Sequence, residues 1–125
     1  MKETKGNMKK LIFAFACCSL LACNLLSNKI EVEVINKSEK SIKNLKLYTS
    51  ENKEMARFDE IAPNQAKSGF ISMAENKTDG HYILEFTNEK GENKKAQGGY
   101  SSNGTPLNDK IIFEIQKDTV VTRSN

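Results

Sequence analysis

Ile30-Glu31-Val32-Glu33-Val34 alternates apolar and charged residues without a break. Successive side chains of a strand point to opposite faces, so this stretch makes a β-strand with one buried face and one wet face. A helix would spread the same residues around its circumference and bury none of them consistently.

The same period of two continues toward the C-terminus, with turn signals about every 8–12 residues. Asn36-Lys37-Ser38-Glu39-Lys40-Ser41 reads as a polar turn, followed by a strand over Ile42-Lys43-Asn44-Leu45-Lys46-Leu47-Tyr48. Met55 to Ile61 is the next strand, closed by Ala62-Pro63-Asn64-Gln65, where Pro and Asn favour a tight turn. Ala66 to Met73 follows, centred on Phe70. Asp79-Gly80 is a turn dipeptide leading into His81 to Thr87, which puts Tyr82, Leu84 and Phe86 on one face. Asn88 to Asn93 reads as a hairpin loop, and Lys94 to Tyr100 as the returning strand. After the Gly-rich segment 98–104, Ile111 to Ile115 is the most apolar strand, and Thr119 to Thr122 a short last one.

No stretch after residue 29 carries an amphipathic helix of three turns. The expectation is therefore all-β: an antiparallel β-sandwich over residues 30–125, immunoglobulin-like in the broad sense. The Cys and Trp marks of true immunoglobulin domains are absent from it. A small β-barrel is the competing architecture.

All three cysteines lie upstream, within Ala16-Cys17-Cys18-Ser19-Leu20-Leu21-Ala22-Cys23-Asn24. A metal site draws paired Cys or His ligands from different parts of a fold, and residues 29–125 supply no Cys and one His. What precedes Cys23 has a different logic. Lys9 and Lys10 lead an apolar run from Leu11 to Ala22, which matches a secretory signal: a positive start, about 7–15 apolar residues and a small residue at the cut. The run is too short for a transmembrane helix, which needs about 20 apolar residues. Met8-Lys9-Lys10-Leu11 reads as a complete signal start by itself, so Met8 is a candidate initiator.

Leu20-Leu21-Ala22-Cys23 resembles a bacterial lipobox, and with the basic and apolar regions the resemblance to a lipoprotein signal covers residues 8–23. It implies cleavage between Ala22 and Cys23 and a covalent diacylglyceryl group on the Cys23 sulfur. The division expected is signal peptide 1–22, lipidated tether 23–29 and one domain 30–125. The implied location is the cell envelope. Asn24 is not the Asp that retains many lipoproteins at the inner membrane, which favours an outer-membrane anchor facing the periplasm in a Gram-negative cell. In a Gram-positive cell the same signal means the outer face of the cytoplasmic membrane.

Charge narrows the partners. Four of the 19 basic residues and one of the 16 acidic ones precede Cys23, which leaves 15 of each after it. A near-neutral chain offers no electrostatic footprint for nucleic acid, so none is expected as a partner. Membrane attachment would come from lipid, since buried methylenes contribute about 0.8 kcal/mol each and two or three acyl chains suffice.

Little in residues 30–125 points to catalysis. His81 is the sole histidine and faces opposite to Tyr82 and Leu84. Asp59-Glu60 is an acid pair, but neighbours on a strand point apart. The Asn88 to Asn93 loop lacks the regular oxygen spacing of a calcium loop. The expectation is a protein that is not an enzyme and carries no metal or cofactor beyond the lipid on Cys23. Gly98-Gly99-Tyr100-Ser101-Ser102-Asn103 is the candidate contact loop: paired glycines permit unusual backbone, and Tyr beside Ser and Asn is interface chemistry. Its structural alternative is a bulge and turn. The function expected is a binding or structural module toward an envelope protein. The alternatives are an envelope inhibitor or immunity protein acting on a toxin or hydrolase, and, further off, a carboxylate-dependent enzyme.

Overall fold

A computed structural model describes residues 28–53 and 55–125. The signal segment, with Ala22 and Cys23, lies outside the described residues. Strand β1 (Lys29–Asn36) carries the alternating stretch and buries Ile30, Val32 and Val34 completely. It is followed by β2 (Ile42–Thr49), β3 (Met55–Ile61), β4 (Ala66–Ser72), β5 (Gly80–Thr87), β6 (Asn93–Ser102), β7 (Thr105–Pro106), β8 (Lys110–Ile115) and β9 (Val120–Ser124). Among the described residues there are nine strands and no helix. They form two sheets, ordered β4-β1-β8-β9 and β3-β2-β5-β6-β7. The chain is all-β, and its architecture is that of a β-sandwich whose sheets curl toward each other.

One pairing departs from the antiparallel expectation. β1 and β8 run parallel, with Val32 beside Ile111 and Val34 beside Phe113. Alternation of residue type sets which face of a strand is buried, but it carries no information about direction. The parallel register brings Lys110 alongside Glu31 and Glu33 on the wet face, with Lys110 Nζ 2.8 Å from Glu33 Oε2 and 3.9 Å from Glu31 Oε1. The Glu33 contact raises the Lys110 pKa above its ordinary value. The remaining pairings between strands are antiparallel.

The core fills the space between the sheets. β1 and β8 face β2 and β5 across it, through Phe113, Ile111, Leu45, Leu47, Leu84 and the wholly buried Tyr82 among others. Each such aliphatic or aromatic side chain contributes about 1.5–3 kcal/mol on burial. Tyr82 is the one polar member, and burial pushes its phenol up to about 12.

β2 reaches this core only with a local adjustment. Ile42 and Leu45 are both buried although they stand three positions apart, which a regular strand forbids. Asn44 absorbs the extra residue in the left-handed region, at φ 53°, and the β2–β5 register shifts between Lys43 and Lys46. Asn tolerates that conformation better than other non-glycine residues, so Asn44 makes the bulge possible.

The polar stretch expected at 36–41 contains a buried anchor. Asn36 is wholly buried at the end of β1. Its Nδ2 donates to the Lys40 and Ile61 carbonyls, both at 2.9 Å. Its Oδ1 accepts from the Ser38 N–H at 2.9 Å and the Ser38 hydroxyl at 2.6 Å. Its backbone N–H donates to the Gln65 carbonyl, and the Asn64 N–H donates to its carbonyl. One side chain therefore ties the β1–β2 turn to the β3–β4 turn, two of the four connections along which the chain crosses between sheets.

The topology gives the sandwich two distinct ends. Lys29, Ser72, Lys110 and Ser124 mark the entry end, where the described chain begins. The β2–β3, β4–β5 and β6–β7 connections share that end. The β1–β2, β3–β4, β5–β6 and β8–β9 connections form the far end.

Replacing Asn36 by Ala would strand several buried backbone groups, each costing about 1–3 kcal/mol. The expected outcome in urea unfolding is a loss of roughly 2–4 kcal/mol, against a near-neutral effect for Asn93→Ala on the exposed surface. An Asn36→Ala midpoint equal to wild type would show that the anchor is dispensable.

Candidate functional site

The Gly-rich segment is placed at the entry end, and most of it is strand rather than loop. Gly98 through Ser102 belong to β6. Asn103 and Gly104, at φ 51° and 78°, form the two-residue turn to β7, as expected of Asn-Gly between paired strands. That dipeptide was the signal that could have located the hairpin from the sequence.

Each residue of the segment has a definite place. Gly99, at φ 68°, creates a bulge: Gly80 pairs with Ser101 and Tyr82 with Gly98, which leaves an extra residue on β6. A Cβ on Gly99 would stand 2.5 Å from Ile111 Cδ1 and 2.7 Å from Tyr82 Cδ2. A Cβ on Gly98 would meet the Thr122 side chain of the other sheet. These two glycines let β6 close against β8 and β9. Ser101 is buried, so it offers nothing to a partner. Ser102 is half-buried and Asn103 exposed.

Tyr100 is exposed and held from two sides. Its hydroxyl donates to Asp79 Oδ2 at 3.0 Å, and its ring meets His81 edge-on with centroids 5.8 Å apart. His81 is exposed on the outer face, as its position opposite to Tyr82 implies, with Nδ1 3.0 Å from the Gly99 carbonyl oxygen. The second Asp79 oxygen accepts from the Asn103 N–H at 2.9 Å. The Asn103 N–H, with the Tyr100 hydroxyl second, holds the Asp79 carboxyl below its ordinary pKa. The Asp79 contact in turn raises the Tyr100 phenol. The Leu107 N–H donates to the Tyr100 carbonyl at 3.3 Å, which sets the exposed Leu107 beside Tyr100.

A second feature lies at the far end. There the β6 and β9 edges diverge and leave a cleft of about 550 Å³ between the sheets. Ile42, Phe86 and Ile115 form its floor, Ala96 and Val120 its walls, and Lys90, Lys94, Lys117, Glu89 and Asp118 its rim. Lys94 pairs with Glu92 at 3.1 Å and Lys95 with Glu85 at 3.7 Å. Lys90 and Lys117 form no ion pair among the described residues. An apolar floor under a few polar groups is the usual build of a binding cleft. Sequence reasoning missed it, because divergence of two sheet edges has no local signature. Among the described residues no three His, Cys, Asp or Glu side chains gather closely enough to hold a metal ion.

Two outcomes separate structure from contact in the Gly-rich segment. Gly99→Ala should lose about 2–4 kcal/mol of stability through backbone strain and crowding, while Tyr100→Ala stays within about 1 kcal/mol of wild type. Equal losses by thermal unfolding would refute this division. Asp79→Asn should lower the pH at which Tyr100 ionises, followed by NMR of ring-labelled tyrosine. On the acid side the Asp79 contribution is present above the ordinary carboxylate pKa. It is lost as pH falls through the depressed folded value, so Asp79→Asn should flatten that part of the stability profile.

Comparison with known proteins bears on the fold. No family model matches the chain, and no curated protein matches it either. Among solved structures it is similar to the NMR structure of a protein from Eubacterium rectale, with a TM-score of 0.52 and 13% sequence identity. The match covers 78% of this chain and 88% of that one, so the likeness is one of architecture over the described domain.

Proposed function

We propose that this chain is a bacterial lipoprotein, acylated on Cys23, whose β-sandwich is a non-catalytic binding module held in the cell envelope. The observation that carries the reading is the lipobox Leu20-Leu21-Ala22-Cys23, set six residues before the first residue of β1. Six residues span at most about 20 Å, so an anchor at Cys23 keeps the entry end of the sandwich close to the bilayer.

That proximity assigns different work to the two ends. Tyr100, Leu107 and the Asn103-Gly104 turn lie at the entry end, on the membrane side of an anchored molecule. The cleft at the far end is turned toward the envelope space. Strands of six to eight residues separate the two by roughly 20–26 Å. The cleft is therefore the surface that a partner in the envelope meets first, and the Gly-rich segment serves chiefly to close the sandwich.

In membrane fractionation the wild-type protein should sediment with membranes. Cys23→Ala should move it to the soluble fraction with an unchanged unfolding midpoint, because the buried core of the described domain begins at Ile30 and closes without Cys23. A wild-type protein that is soluble and unacylated by mass spectrometry would end the lipoprotein reading. In a crosslinked pull-down from native membranes, Tyr100→Ala should keep the wild-type partner and Ala96→Arg should lose it. The reverse pattern would return the binding role to Tyr100.

A further inference from the structure

We infer that the free edge of β6 and the cleft beneath it take an extended peptide segment by strand addition, antiparallel to β6 and continuing the line of β7. This deepens the binding-module reading above by naming the class of partner and the mode of capture.

The ladder on the outer side of β6 is begun and then abandoned. β7 pairs Thr105 with Ser102 and Pro106 with Ser101, and the Leu107 N–H still reaches the Tyr100 carbonyl. The chain then leaves for β8 in the other sheet. From Asn93 to Gly99 the outer side of β6 has no neighbouring strand among the described residues. Such an edge presents a row of backbone N–H and C=O groups, and another extended backbone satisfies them all at once.

Exposed edges are common, and lysines on them often serve only to discourage pairing. Two features distinguish this one. The vacant lane lies over the cleft, so a guest strand would gain apolar burial as well as backbone hydrogen bonds. The inward residues of β6 next to the lane are also small. Ala96 and Gly98 pair with Leu84 and Tyr82 and share their inward face, which leaves room for large guest side chains at alternate positions. β1 and β8 lie inside their sheet and offer no such lane.

β7 sets the polarity of the guest, because the lane continues its antiparallel pairing with β6. An antiparallel strand begins near Tyr100 and ends at the far end, where Lys90, Lys117, Glu89 and Asp118 all stand without ion-pair partners among the described residues. The segment that fits has apolar residues at every second position and, beside this rim of both signs, a polar residue toward its C-terminal side.

The test uses the acylated protein in detergent micelles, with a displayed library of random peptides as the probe. Selection should enrich sequences with apolar residues at every second position and a polar C-terminal flank. Synthetic copies of them should slow amide hydrogen exchange at Lys94 to Gly99 by about tenfold or more, as pairing of an open edge requires. Ala96→Arg, which fills the lane, should weaken their binding by roughly tenfold or more, while Tyr100→Ala leaves it unchanged. Circular dichroism confirms that both variants fold, and Gln97→Ala serves as a mild second variant that leaves the lane open and binding intact. Peptides that bind without protecting Lys94 to Gly99, or equally well to Ala96→Arg, would overturn the inference. So would a library that yields no enrichment. Mass spectrometry of the same preparation reports the lipid on Cys23 separately, so failure of the anchor and failure of strand addition are told apart.

Discussion

Everything in this sandwich depends on satisfying a chain that changes sheets at its far end. A crossing strand leaves its ladder, and the peptide groups it abandons are buried because the crossing lies against the core. Asn36 resolves this with one amide side chain: two donors and one doubly accepting oxygen, all used, spread over two turns. Buried amides carry such weight because an unmade hydrogen bond in a low-dielectric interior costs more than a made one contributes. The entry end has a counterpart in Thr49, whose hydroxyl donates to the buried Asn76 side chain at 2.6 Å. Between these two polar ties the core is apolar apart from the Tyr82 hydroxyl.

The sequence was legible where a property is local. Ile30 to Val34 and Tyr82 to Phe86 show their inward faces directly, because alternation is a matter of nearest neighbours. The strands at 55–61 and 66–73 and the turn at 62–65 were likewise visible in residue type. Ile42 and Leu45 were harder, since their spacing contradicts a regular strand until Asn44 is seen as the residue that takes a left-handed turn. Direction was invisible: nothing in Ile111 to Ile115 says that it runs beside β1 rather than against it. Asn36 was read as a turn residue because it is polar, and its burial follows only from the meeting of two distant turns. Of the candidate site, the conformational need for Gly98 and Gly99 was visible, but not the opposing Thr122, Ile111 and Tyr82 that impose it.

The sandwich is closed unequally. On one side the Ala62 to Gln65 turn joins β3 to β4 and stitches the sheets covalently. On the other side, among the described residues, the pair of glycines brings β6 against β8 and β9, the chain passes from β7 to β8 at the entry end, and beyond these the sheets part. Closure at the entry end and opening at the far end are thus two aspects of one arrangement. Side-chain bulk is removed where the edges must touch and is left out where they must not.

The unpaired length of β6 also bears on how copies of the molecule meet. Two β6 edges pair antiparallel only about a two-fold axis lying across the strands. That operation turns one copy upside down relative to the other. Molecules standing on one bilayer by the same end all point the same way, and no rotation within the membrane supplies the inversion. Anchorage would then act as a symmetry filter, withholding the edge from antiparallel pairing with its own kind on the same surface while leaving it open to chains that arrive from elsewhere.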